Sequence, residues 1–184
     1  MRTEEPTWQF DLNDGRVTHA QLLASDEDVE RLQRLLELLP SYCENTIGYP
    51  PGPAEAHSTL IARPPSSAPD DKVPLGVFDT SGQLIAFLDL ILRFPEQGQC
   101  YIGYVLVDPQ CQHQGLGSYL LKFATRLATS WQSHCTRATT GLIETFGPQG
   151  QSFLEQNGFT STGRATPYEV NTISSVRFEY VKVL

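Results

Sequence analysis

The stretch that decides the fold is VLVDPQCQHQGLGSYLLKFA, Val105–Ala124. It runs from an apolar, strand-like segment through a break at Pro109 and a loop holding Gly115 and Gly117 into a helical pattern. The first turn of a helix carries backbone N–H groups without an intrahelical acceptor, at the positive end of the helix dipole. Glycines at that point let a bulky anion reach the backbone. The stretch therefore reads as a seat for phosphate.

Two nucleotide loops fail against it. A dinucleotide fingerprint wants a third glycine where Leu120 stands and a parallel βαβ opening that is missing here. A Walker loop wants Gly-Lys-Ser/Thr, whereas Gly117 is followed by Ser118 and Tyr119.

Working outward, Leu116, Leu120, Phe123, Ala124, Leu127 and Trp131 recur at helical spacing, so a helix follows from Gly115. Upstream, VPLGVFDTSGQLIAFLDLILRF (Val73–Phe94) is two apolar runs around DTSG, a hairpin in which Gly82 takes positive φ. The turn PEQGQ leads to CYIGYVLVDP, which completes an antiparallel meander. Downstream, TRATTGLIET predicts a strand, PQGQSFLEQNG a short helix closed by Gly158, and SSVRFEYVKVL a last strand. Nearer the start, RVTHAQLLAS (Arg16–Ser25) reads as a first strand. Ser25 then caps a helix with Asp28 answering it, and Pro40 stops the run. Seven of the thirteen prolines fall between Pro50 and Pro74, so ARPPSSAPDDK is an exposed loop, with a short helix around Ala54–Ile61 before it. The order β-α-α-β-β-β-α-β-α-β-β predicts an α/β (α+β) fold, a mixed sheet with helices on both faces. Residues 1–184 are expected to form a single domain.

Composition narrows the function. A net charge of −8 argues against sequence-blind nucleic-acid binding, which needs a basic face. No apolar run approaches the ~20 residues of a membrane span, so no membrane partner is expected. MRTEEPTWQF lacks the apolar core of a secretory signal, which predicts a cytoplasmic protein with its four cysteines as thiols. Cys111, His113, His134 and Cys135 fit no common zinc spacing, and no metal is expected.

Gln112-x-x-Gly115-x-Gly117, after a strand ending Val-Asp-Pro and before an amphipathic helix, resembles motif A of the Gcn5-related N-acetyltransferases. FLEQNGF (Phe153–Phe159) is similar to that family's second segment, a short helix ending in Gly-Phe. The element order matches along nearly the whole chain, and the resemblance makes the sheet mostly antiparallel. It implies acetyl-coenzyme A as cosubstrate, a small-molecule amine as acceptor, and a homodimer as an assembly common among such proteins. The loop Gln112, His113, Gln114, Gly115, Leu116, Gly117 and Ser118 would hold the pyrophosphate through its backbone, with the side chain of His113 turned outward. Leu106 and Val107 would hold the pantetheine arm by their backbone, on a strand that splays from its neighbour. Lys122 and Arg126 could meet the 3′-phosphate or simply form a solvated helix face.

Catalytic groups transfer less readily. The family's tyrosine acid, in Tyr-x-x-x-Gly-Phe, falls on Leu154, and the strand glutamate of some relatives falls on Tyr101. Asp89, inside AFLDLILRF, is the candidate base or an anchor for a cationic amine; the alternatives are pairing with Arg93 or exposure at a strand face. Glu144, at the end of TRATTGLIET, is the second candidate. Tyr42, Tyr49 and Tyr101 are candidate walls of the acceptor pocket. The rival reading is a non-catalytic acyl-coenzyme A-binding module that regulates or supports another process.

Overall fold

The computed structural model describes residues 8–11, 17–130 and 134–184. Its eight strands are β1 (Trp8–Asp11), β2 (Val17–Leu22), β3 (Lys72–Phe78), β4 (Leu84–Leu92), β5 (Gln99–Val107), β6 (Arg137–Ile143), β7 (Thr160–Val170) and β8 (Ile173–Val183). Five helices join them: α1 (Asp26–Glu37), α2 (Pro40–Ile47), α3 (Glu55–Ile61), α4 (Leu116–Ser130) and α5 (Gly147–Gln156). The sheet order is β1-β2-β3-β4-β5-β6-β8-β7. Every pair is antiparallel except β5 with β6.

The predicted order holds with two additions. β1 pairs with β2 and was not foreseen. α1 ends at Glu37, before Pro40 as expected, but Pro40 also opens a second helix, α2, in whose first turn its missing N–H costs nothing. Gly48, at φ 88°, then closes that helix. The predicted cap is present: the Ser25 Oγ accepts from the Asp28 N–H at 3.2 Å, and an Asp28 carboxylate oxygen accepts from the Ser25 N–H at 3.0 Å. Gly82 turns the β3–β4 hairpin at φ 82°, and Gly158 follows α5 at φ 82°. Arg16 and Trp131, assigned above to a strand and a helix face, lie outside the described residues.

Each face of the sheet carries a core. On one, Leu88, Leu90 and Ile102 meet Leu116, Leu120 and Ala124 of α4. On the other, Phe78, Phe87 and Leu106 meet Leu32, Leu35 and Leu36 of α1. Each fully buried leucine contributes about 1.5–3 kcal/mol of transfer free energy. None of the four cysteines forms a disulfide, and all are buried. No helix among the described residues is long and apolar enough to cross a membrane.

Two irregularities break this sheet at one place. Along β4 and β5 the register passes from Asp89↔Tyr104 to Leu90↔Ile102, leaving Gly103 as an extra residue. This bulge resets the alternation, so Ile102 and Val105 both face the α4 layer while Tyr104 and Leu106 face the α1 layer. The parallel β5–β6 ladder covers only Gln99–Ile102 against Arg137–Thr140. Beyond it, β5 stays with β4 as far as Val107 and β6 stays with β8 as far as Ile143. The sheet is therefore split from Gly103 and Gly141 onward.

Candidate active site

On the α4 face, the split ends at the glycine loop. Asp108 starts it: its side chain accepts from the Gln110 N–H at 2.8 Å, and its own N–H donates to the Ile85 carbonyl at 2.9 Å. His113 and Gly115 follow at φ 60° and 86°. The helix ladder begins with the Tyr119 N–H on the Gly115 carbonyl at 2.9 Å. The N–H groups of Leu116, Gly117 and Ser118 thus precede the ladder and point out of the helix end, where an anion is stabilised. Val105, Val107, Gln112, His113, Gly117 and Phe153 line a cleft of about 300 Å³ there. These donors and this cleft fit a pyrophosphate.

The loop side chains hold the loop's shape. Gln112 donates from Nε2 to the Val107 carbonyl at 3.1 Å, tying the loop to the end of β5. Gln114 does the same to the Gln110 carbonyl at 3.2 Å. His113 is exposed, as are Lys122 and Arg126 on α4. A Cβ at Gly117 would lie 3.2 Å from the Phe153 ring, so this glycine also lets α5 pack close. Leu106 is buried in the α1 core, and only its backbone can face the split.

On the other face, the carboxylate of Asp89 is buried against Gly103. Lys72 Nζ donates to Asp89 Oδ1 at 2.7 Å and to the Ala62 carbonyl at 2.7 Å. The two charged side chains are only 7% and 6% exposed. Arg93 pairs instead with Asp71, so the expected Asp89–Arg93 alternative is replaced by Lys72. Asp89 Oδ2 is the nearest atom to the point where a Gly103 Cβ would sit, at 3.1 Å. Burial pushes the Asp89 carboxyl above its ordinary value, and Lys72 only partly opposes this.

Aromatic rings wall the same face. Tyr42 of α2 lies 5.8 Å from the Tyr104 ring and 5.4 Å from the Phe146 ring, centre to centre. Burial raises the hydroxyls of Tyr42 and Tyr101, and that of Tyr104 to about 12, so all three are neutral donors near pH 7. The end of α2 is strapped to the β7–β8 hairpin: Tyr168 donates to the Thr46 carbonyl at 2.7 Å, and Asn171 to the Ile47 carbonyl at 2.9 Å. Tyr49 belongs to that strap, its hydroxyl accepting from Asn171 at 3.1 Å, and it is exposed. Glu144 is exposed on the turn after β6. Leu154 is buried in the α4-side core and brings no proton donor.

Sequence reasoning missed Lys72, Tyr104 and Phe153 as parts of this site. A glycine inside an apolar strand was the available signal, since Gly103 there marks a bulge that re-aims its neighbours. Among the described residues, no three His, Cys, Asp or Glu side chains converge on a point that could hold a metal.

The sequence model of the acetyltransferase (GNAT) family matches residues 32–159, which take in the glycine loop and FLEQNGF. Solved structures share the fold. The GNAT domain of S. lividans PAT is 17% identical with a TM-score of 0.67, over 94% of this chain and 95% of that one. An acetyltransferase from Thermus thermophilus is 21% identical with a TM-score of 0.65, over 90% and 97%. A Bacillus anthracis str. Ames protein solved in complex with acetyl coenzyme A is 17% identical with a TM-score of 0.53, over 69% and 67%. No curated protein matches the chain.

Proposed function

The chain belongs to the GNAT acetyltransferase family and is an acetyl-coenzyme A-dependent acyltransferase; from that premise we propose that it acetylates the amine of a small molecule by direct attack. The observation that carries the proposal is the split between β5 and β6, with the anion cleft on its α4 face and Asp89 and the tyrosines on its α2 face. A two-sided opening of this kind lets a thioester and an amine meet through the sheet. The whole chain serves this one site, with residues from α2 to β8 taking part.

Acetyl-coenzyme A supplies a thioester carbonyl that an amine can attack and a thiolate that leaves as the C–S bond breaks. The amides of Leu116, Gly117 and Ser118 hold the pyrophosphate, and the backbone of Leu106 and Val107 guides the arm along β5. Asp89 has one oxygen engaged by Lys72 and turns Oδ2 toward Gly103, where it takes the proton lost by the attacking amine. Glu144, on the rim, is the alternative proton route. With leucine at position 154, solvent protonates the departing thiolate.

Two measurements test this. Calorimetry should show acetyl-coenzyme A binding, and a thiol-detecting assay over a panel of small amines should show coenzyme release. Binding without release on any amine would favour the non-catalytic module.

A further inference from the structure

Gly141 is the first residue of β6 beyond its ladder with β5. A Cβ there would lie 2.6 Å from Arg177 Cδ, 3.0 Å from Arg177 Cγ and 3.1 Å from the Tyr101 hydroxyl oxygen. The glycine thus lets an arginine arm from β8 and a tyrosine hydroxyl from β5 meet over the apex of the split. They share a pocket of about 250 Å³ with Arg164, Thr166 and Glu179. Arg164 has Glu179 as an ion-pair partner at 3.5 Å. No ion pair to Arg177 occurs among the described residues. In a chain of net charge −8, this pocket carries one positive charge in excess.

We propose that this pocket takes a carboxylate carried by the acceptor, held by the Arg177 guanidinium and the Tyr101 hydroxyl, so that the acceptor class is small amino acids. The inference rests on the transferase reading above, because it places the acceptor on the α2 face. An unopposed guanidinium binds a carboxylate through two parallel donors and repels a second amine. Gly141 stands one residue past the Ile102↔Thr140 pair, level with Gly103, and the Tyr101 hydroxyl lies at the one glycine as Asp89 Oδ2 lies at the other, each 3.1 Å from the Cβ point. An amino acid, whose amine and carboxylate sit on one carbon, can then set its carboxylate on Arg177 and its amine at the Gly103 bulge beside Asp89. The pocket lies below the ~300–1,000 Å³ of drug-sized sites, which suits a compact acceptor.

Turnover of methionine against methylthiopropylamine, and of phenylalanine against phenethylamine, reads the carboxylate alone. The amino acids should be favoured at least ~10-fold in kcat/KM. Arg177→Gln should raise their KM about 10–100-fold and leave the KM for acetyl-coenzyme A unchanged. Titrating N-acetylmethionine and N-acetyl-methylthiopropylamine into coenzyme A-saturated protein reads the same preference without chemistry. The carboxylate compound should bind at least ~10-fold more tightly, and Arg177→Gln should erase the difference. Equal binding, including none of either, or a preference that survives Arg177→Gln, overturns the proposal. A preference in binding with no turnover on any amine would sink the transferase reading and leave the pocket assigned. Turnover of the decarboxylated amines alone would do the reverse.

Discussion

Asp89 and Lys72 face each other across β3 and β4 with almost no water around them, and each charge depends on the other. Removing one partner of such a pair costs about 3–5 kcal/mol, because the remaining charge stays buried. Asp89→Asn should therefore lower stability by about that much, with Lys72 left on the Ala62 carbonyl alone. Asp89→Asn combined with Lys72→Met should recover most of it in denaturant titration. Turnover separates chemistry from folding: kcat should fall about 10²–10⁴-fold in both variants if Asp89 takes the amine proton. A raised KM at constant kcat would make Asp89 an anchor, and no change in either would leave it structural. Tyr104 gives a second test, this time of pH. Its hydroxyl is raised to about 12, first by burial and then by Glu55 and Asp89. A raised value in the folded state adds stability that is present below the ordinary tyrosine range and lost as pH climbs through 12. Ultraviolet titration should show this hydroxyl ionising together with alkaline unfolding, and Tyr104→Phe should remove that step.

Within single elements, α4 and the loop before it were the most legible part of the chain, because helix period, Pro109 and the glycines are local signals. What the sequence could not display is what sits beside them. A Cβ at Gly117 meets Phe153 of α5 at 3.2 Å, so the glycine serves both the anion seat and the contact between helices. Gly117→Val should force the Phe153 ring toward the cleft and weaken acetyl-coenzyme A binding at least ~10-fold by calorimetry. It should also cost about 1–3 kcal/mol as an overpacking change. Unchanged affinity would remove the pyrophosphate from this loop. The same contrast explains α2. Pro40 is locally a stop signal, and α1 does end before it, but a proline at a first turn is also a start, and the helix that follows is tied down at its end by Tyr168 and Asn171. Asp89 was conspicuous as a carboxylate among apolar residues, yet its partner comes from position 72 and not from nearby Arg93. Partners across strands depend on register, and register is set by the whole sheet.

Taken whole, the molecule is one sheet with a seam, and the seam is where binding energy should act. Upstream strands hold β5 through β4, and downstream strands hold β6 through β8. Among the described residues, the backbone ladder between the two groups covers only Gln99–Ile102 and Arg137–Thr140. Past that short ladder, among the described residues, the edges of β5 and β6 that face each other share no backbone ladder to protect their amides. A cosubstrate lying in the seam, with its pyrophosphate on the amides of Leu116–Ser118, would bridge both groups and stabilise the folded state. Mass action sets the size of the effect: about 2.7 kcal/mol at a ligand concentration one hundred times Kd. Thermal unfolding should therefore shift upward with acetyl-coenzyme A. Hydrogen exchange should slow at Tyr104–Val107, at Gly141–Ile143 and at the first turn of α4. The β2–β3 ladder, which lies on the far side of β4, should exchange as before. Slowing confined to the loop would mean that the ligand sits on the surface by its phosphates and does not enter the sheet. In that case the amine could not meet the thioester through the seam, and direct transfer at this site would fail with it.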